Sequence, residues 1–412
     1  MVLVSSYPPN PDGEAHYTWC VTRELAALVQ GPVEILCHYQ KGASVKKPVA
    51  LNLKATQVTF GYDGGFSKRQ LAPLYLWRHL SRRSMPDVVH FQAPHKSLYG
   101  GVYGEPLLLL IKRLKLRKVP IVITLHSLWL REDFEQLAQE RSYSKWKRQL
   151  LERLYRWYLH QLFRLTSQVN AVVAGDGNPL IADFVREWGL QAYRLCAEPH
   201  PCEPRAPTGV QIQAAKSQLG LEGKRLVLAF GFVRPDKGFH YLLEAMAPLL
   251  RAERHLIVLI TGEPRGPLGT QYAAQLQALR VQMPAPERVY LEFGFVPDEK
   301  MHLYLTAADV VVIPYTRVMG ASGPMHHALG YGKPVVATNV GQNRGMAHVC
   351  YLVPPQHPEA LREALHAILT SPDRWATYHQ RAVEYASTHT WLHLARQYLG
   401  DYYRLLEGRI SQ

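Results

Sequence analysis

The chain has 412 residues, 47% of them hydrophobic and 19% charged, too long for a single growing core and too apolar for a disordered chain, so two globular domains are expected. Its net charge is +14, and residues 1–200 hold 26 Lys and Arg against 16 Asp and Glu, so the first half is suited to an anionic partner: nucleic acid, an acidic membrane surface or a phosphorylated substrate. The five cysteines are odd in number and lack metal-ligand spacing, which reads as reduced thiols of a cytoplasmic protein, while no apolar run reaches the roughly 18 residues of a spanning helix and no secretory signal precedes the first strand.

Met1–Ser6 reads as a strand. The turn-rich YPPNPDG follows, then a helix from about Thr18 to Val29. Gly13 in this first strand-to-helix turn would let a backbone approach a ligand, although a plain surface turn has the same composition. VEILCHY and QVTFGY are short strand candidates before a helix around Lys68–Ser81. Two later strands end in histidine. Asp87–Phe91 brings His90 and then His95 to a strand terminus, and Ile121–Leu125 runs directly into His126 and Ser127. Strand ends in open α/β sheets face the crevice, and imidazole titrates where proton chemistry needs it. His126 is therefore the first-half candidate, with a purely structural histidine as the alternative.

Five basic residues fall in the seven positions Lys112–Lys118. Lys145–Leu165 has helical spacing, with Trp146, Leu150, Leu154, Trp157, Tyr158, Leu162 and Leu165 expected to share an apolar face. A membrane-interfacial helix has this pattern, and so does a core helix with a solvated basic side. No recognised nucleic-acid motif supports the third option. Val169–Ala174 reads as the last strand of this half and Asp176–Trp188 as a helix, and the four prolines of Glu198–Gly209 mark a stiff connector and a domain boundary.

Lys224–Phe230 then begins a second α/β series and runs into GFVRPDKGFHYLLEAM. Arg234 and Lys237, three apart at a strand-to-helix turn that Gly231 and Gly238 clear of side chains, suit a diphosphate. Further strands are expected at Leu256–Ile260, ending in Thr261-Gly262, and at Val289–Phe293, before a helix over Pro297–Thr306. In Asp309–Gly341 an apolar run, Val310–Ile313, is stopped by Pro314. Ser322 then stands as N-cap, Gly323 and Pro324 open a helix to Tyr331, and Val335–Ala337 returns as a strand. A helix N-terminus at the carboxyl edge of a parallel sheet is where such a protein holds a phosphate or diphosphate. A βαβ unit without a ligand uses similar glycines for packing.

YPPNPDG, DVVHF, ITLHS and PHP, followed in order by GFVRPDKG, LITG, FGFVP, AADVVVIPY and ALGYGKPVVATNVG, resemble the retaining GT-B glycosyltransferases of family GT4 over nearly the whole chain. The resemblance implies an α/β fold of two Rossmann-like domains facing across a cleft. Residues 1–200 would bind the acceptor, 210–385 the nucleotide-sugar, and 386–412 would form a C-terminal helix crossing back to the first domain. By position, Arg234 and Lys237 would hold the diphosphate, with Gly13, Gly231 and Gly262 beside the donor and His126 near the transferred sugar. Ser322 and Gly323 would supply backbone N–H groups. The family's two glutamates, eight apart, fall at Met319 and His327. His327 can still hydrogen-bond a ribose, but Met319 has no carboxylate acceptors to offer.

The implied reaction moves a sugar from a nucleoside-diphosphate sugar, a co-substrate and not a cofactor, to a hydroxyl of a glycan, lipid or lipid-linked glycan. It would need no metal, since no Asp-x-Asp pair is present. The expected location is cytoplasmic or peripheral on the inner face of a membrane, with no nucleic-acid partner. The missing glutamates leave a second reading, a non-catalytic binding or scaffold protein on the same fold.

Overall fold

The computed structural model describes residues 1–8, 12–29, 31–39, 56–63, 71–82, 84–92, 99–318 and 320–410. The chain divides into two compact units, one formed by Met1–Val173, Pro179–Pro199 and Trp391–Gln412, the other by Ala174–Asn178 and His200–Thr390.

In the first unit β1 (Val2–Val4), β2 (Val33–Tyr39), β3 (Thr56–Asp63), β4 (Val89–Gln92), β5 (Ile121–Leu125), β6 (Gln168–Val173) and β7 (Leu195–Pro199) form a sheet in the order β3-β2-β1-β4-β5-β6-β7. In the second, β8 (Arg225–Phe230), β9 (Leu256–Gly262), β10 (Val289–Phe293), β11 (Val310–Ile313), β12 (Val335–Thr338) and β13 (Tyr351–Val353) run β10-β9-β8-β11-β12-β13. All the strand pairs are parallel. Helical crossovers cover the faces of such sheets, so the strands can be apolar on both sides. Val310 and Val312 pack into one core while Val311 and Ile313 pack into the other, the period-2 alternation of a strand buried on both faces. Both units are Rossmann-like. Strand order reverses between β1 and β4 and again between β8 and β11, the switch points where this architecture places ligands.

Several expected boundaries move. The first helix is Gly13–Leu28, five residues earlier than its apolar spacing suggests, because Asp12 caps it by accepting from Ala15 N–H at 2.7 Å. Where prolines mark a connector, Leu195–Pro199 instead completes the sheet as β7; an edge strand tolerates a terminal proline. The helix expected from Lys68 spans Ala72–Ser81. Trp391–Ile410 belongs to the first unit, where Trp391 lies edge-on to Tyr17 of the first helix at 5.0 Å between ring centroids.

Lys145–Leu165 is helical as expected, but its apolar residues do not share a face. Tyr155, Tyr158, Leu159, Leu162 and Phe163 are buried, whereas Trp146, Leu150 and Trp157 are 66%, 53% and 48% exposed. At about 100° per residue the two sets lie on opposite sides of the helix. Seven apolar positions are more than one core-facing stripe can bury, and the i, i+3, i+4 set that starts at Tyr155 faces the core.

Candidate functional site

The second unit's site forms at the β8/β11 switch point. β8 is followed by Gly231, whose φ is 126°, and β9 ends at Gly262, whose φ is 141°. A Cβ on Gly262 would lie 1.9 Å from the Gly231 carbonyl oxygen, so the two strand ends approach this closely only with glycine at Gly262. After Gly231 the chain makes a single 3-10 turn, Pro235–Lys237, and Gly238 (φ 64°) starts the next helix in the left-handed region. A Cβ there would lie 2.0 Å from the Pro314 carbonyl oxygen, which packs the turn against the end of β11.

This packing brings both cations to the strand ends. Arg234 Nε binds Asp236 Oδ1 at 2.8 Å, and Lys237 Nζ lies 3.7 Å from the centroid of the Tyr315 ring. Tyr315 follows the proline that stops β11 and is 1% exposed. Its hydroxyl lies 3.5 Å from Ser322 Oγ and 3.8 Å from where a Cβ on Gly231 would stand. One aromatic residue thus joins the lysine, the glycine turn and the helix start. Sequence reasoning missed it, though a tyrosine directly after a strand-stopping proline at a sheet edge is a readable signal.

The helix Gly323–Gly330 begins as predicted, with Ser322 Oγ accepting from Met325 N–H at 3.3 Å. Pro324 has no N–H and Met325's is engaged by Ser322, so Gly323 is the donor left in the first turn for an anion. The next two histidines diverge. His326 is buried, its Nδ1 donating to the Ser322 carbonyl at 2.7 Å and its ring stacked on His200 at 4.3 Å; burial lowers its pKa to about 4. His327 is exposed on the helix, and Met319 lies outside the described residues.

In the first unit Gly13 is the first helical residue, and among the described residues a Cβ there would meet nothing within 4 Å. His126 is half-buried, its Nε2 2.7 Å from Gln92 Oε1 and its ring edge-on to Tyr17 at 4.6 Å. His90 does not face a crevice. It is fully buried between Thr124 Oγ1, 2.8 Å from Nε2, and Tyr402 Oη, 2.6 Å from Nδ1, and burial drives its pKa down to about 3. A neutral, enclosed imidazole of this kind serves the core. His95 lies outside the described residues. Gln92, Thr124 and Asn170 occupy matched positions on β4, β5 and β6. With Glu198 of β7 they form a polar layer that went unread, although each is a polar residue inside an otherwise apolar parallel strand.

A family model described as "Glycosyl transferases group 1" matches residues 224–371, and one described as "Glycosyl transferase 4-like domain" matches residues 12–200. The chain belongs to this glycosyltransferase family. The chain is 27% identical over 269 residues to a D-inositol 3-phosphate glycosyltransferase of Segniliparus rotundus, a match covering 60% of this chain and 56% of that protein. The chain spans about half the length of the curated relatives it matches. Its fold is that of the sucrose-phosphate synthase of Thermosynechococcus elongatus (TM-score 0.73, 20% identity, 99% of this chain and 98% of that one). It is also that of Anabaena Alr3699/HepE in complex with UDP-glucose (TM-score 0.66, 15% identity, 100% and 99%). The GT-B architecture expected from the sequence is the one observed. Among the described residues no helix is long and apolar enough to cross a membrane.

Proposed function

We propose that the glycosyltransferase moves a sugar, with retention of configuration, from a nucleoside-diphosphate sugar held by the second domain to a hydroxyl of an acceptor held by the first. The convergence of Lys237, Tyr315, Gly231 and Ser322 carries this reading. It sets a cation, a backbone with no side chain in the way and a helix N-terminus around one point, which suits a diphosphate. The acceptor oxygen bonds to the sugar carbon on the face from which the diphosphate departs, and the acceptor's proton passes to the leaving phosphate oxygen. Negative charge grows on the diphosphate as the bond breaks; Arg234, Lys237 and the Gly323 N–H stabilise it without a metal. Gly13 leaves room for the donor, Gly262 lets the strand ends beside it meet backbone to backbone, His327 takes a ribose hydroxyl, and His126 lies near the sugar. UDP-glucose bound to the structural relative Alr3699/HepE supports a donor of this class. A thermal-shift panel of UDP, GDP, ADP and their sugars tests the reading: one nucleotide should raise the melting temperature of the wild type and not of Lys237→Ala. If none does so for the folded protein, the non-catalytic reading replaces this one.

The anionic partner of the basic first half is, on this reading, a membrane surface, which makes a lipid or lipid-linked glycan the acceptor. The exposed Trp146, Leu150 and Trp157 stand among exposed Lys147, Arg153 and Arg164. Lys115 of the helix Leu107–Leu116 binds the Arg164 carbonyl at 2.9 Å, and that helix exposes Leu109 and Leu116 beside Lys112 and Arg113. Aromatic and leucine side chains between cations are what a bilayer interface selects, whereas nucleic acid would need only the cations. Co-sedimentation with vesicles containing anionic lipid should be strong for the wild type and weak for the double variant Trp146→Ser, Trp157→Ser. Equal binding to neutral vesicles would remove the electrostatic half of this reading.

A further inference from the structure

Beneath His126 the first unit carries a buried hydrogen-bond network that the proposed transfer chemistry does not use. Glu198 is fully buried, and burial, opposed by bonds from Tyr398, Asn170 and Thr124, pushes its pKa up to about 8, so the carboxyl is neutral at pH 7. Asn170 Nδ2 donates to its Oε1, and the Tyr398 hydroxyl donates to its Oε2 at 3.0 Å. Thr124 Oγ1 also lies within reach of Oε2 and donates to it, at 3.4 Å. His90 Nε2 lies 2.8 Å from Thr124 Oγ1 and its Nδ1 lies 2.6 Å from Tyr402 Oη.

This arrangement fixes the polarity of Gln92. The Tyr398 hydroxyl gives its hydrogen to Glu198, so its oxygen is the acceptor for the Gln92 amide nitrogen 3.4 Å away. An amide nitrogen only donates and an amide oxygen only accepts. Gln92 therefore turns its Oε1 toward His126 Nε2, 2.7 Å away, and a nitrogen facing an acceptor at that distance must carry the hydrogen. The Tyr17 ring, edge-on to the imidazole, holds its plane.

We propose that Gln92 is a positioning residue that holds His126 as its Nε2–H tautomer, with Nδ1 as the acceptor nitrogen, and that Tyr398 of the C-terminal helix orients the Gln92 amide for this task. The functional part of the proposal rests on His126 acting near the sugar; the tautomer does not. In ¹⁵N-histidine-labelled full-length protein, with the His126 signals assigned through His126→Gln, long-range ¹H–¹⁵N spectra near pH 7 should show a protonated Nε2 and an unprotonated Nδ1. Gln92→Met should move both signals toward a tautomer mixture, and Gln92→Glu, which restores an acceptor, should return them. Transfer kcat should fall about tenfold in Gln92→Met, the scale of one lost hydrogen bond, with donor KM unchanged, and should recover in Gln92→Glu. A wild-type spectrum showing Nδ1–H overturns the proposal, as does an unchanged tautomer in a Gln92→Met protein that still melts cooperatively. If Gln92→Met does not fold, Tyr398→Phe, which removes the acceptor for the amide, should shift the same signals and overturns the orienting role if it does not. A tautomer that responds as expected in a protein that transfers no sugar would uphold the Gln92 assignment and defeat the transfer reading.

Discussion

The two units share a strand order and treat their switch points in opposite ways. The first fills its strand ends with side chains: His90, Gln92, Thr124, Asn170 and Glu198 bond to one another and to Tyr398 and Tyr402, all of them buried. The second brings its strand ends together backbone to backbone at Gly231 and Gly262 and borders them with Lys237, Tyr315 and a helix start. A buried polar network fixes the direction of each side chain because leaving any partner unbonded costs about 1–3 kcal/mol. At the second unit's strand ends Arg234 is held by Asp236 and Lys237 lies over the Tyr315 ring, and glycine backbone beside cations suits an anion. The same topology thus supports a rigid foundation for one imidazole and, on the proposed reading, a cradle for an anion.

The contrast breaks most visibly at Gly262. Gly262→Ala should cost about 3 kcal/mol, because the added Cβ meets a backbone oxygen at a φ that side chains rarely adopt, and a lowered urea midpoint would record it. An unchanged midpoint would mean that the second unit's strand ends are not held as tightly as described. Gly13→Ala is the matched control, with nothing within 4 Å of the added Cβ among the described residues, and should leave stability within about 0.5 kcal/mol.

Lys237→Ala should leave folding intact, since the lysine is only half-buried, yet weaken nucleotide binding about 10- to 100-fold, the value of a charge-assisted contact to phosphate. Isothermal titration with the nucleotide found in the thermal-shift panel reads this directly. An unaffected affinity would remove the lysine from the site.

The polar network makes a prediction with a sign. Glu198 titrates near 8 in the folded chain against an ordinary 4.5, so between those values the unfolded chain gives up a proton that the native state keeps. This raised pKa costs the native state stability progressively as the pH rises through that window. Glu198→Gln cannot ionise and should gain on the wild type from pH 5 to pH 8 in thermal melts. His90 acts at the other end: its folded pKa lies near 3 against an ordinary 6.5, so its contribution is lost as the pH falls below 6.5. A flat difference between Glu198→Gln and the wild type across pH 5–8 would show that Glu198 is not the buried neutral acid described.

The smallest effect separates the two sides of one helix. Trp157→Ser should change stability by less than about 0.5 kcal/mol, as an exposed position does, whereas Tyr158→Ala beside it should cost about 3–5 kcal/mol as a buried aromatic. Similar losses in both melts would mean that the outer apolar stripe is covered in solution.

Chain order and apolar runs suffice to read two parallel α/β units, the strands Ile121–Leu125 and Val310–Ile313, the Ser322 cap and the Arg234/Lys237 turn. Each of these is set by neighbours within a few residues: a strand by its own apolar run, a cap by the hydroxyl three positions before the N–H it accepts from, a turn by its glycines. Tertiary structure alone decided which side of Lys145–Leu165 is buried and that Leu195–Pro199 joins a sheet despite its proline. It also decided that His90 is enclosed while His126 is half-open, and that Tyr315, Gln92 and Glu198 matter at all. Their distant partners lie up to 312 positions away along the chain, and a hydrogen bond or ring contact over such a separation exists only once the sheet order has brought the strands together.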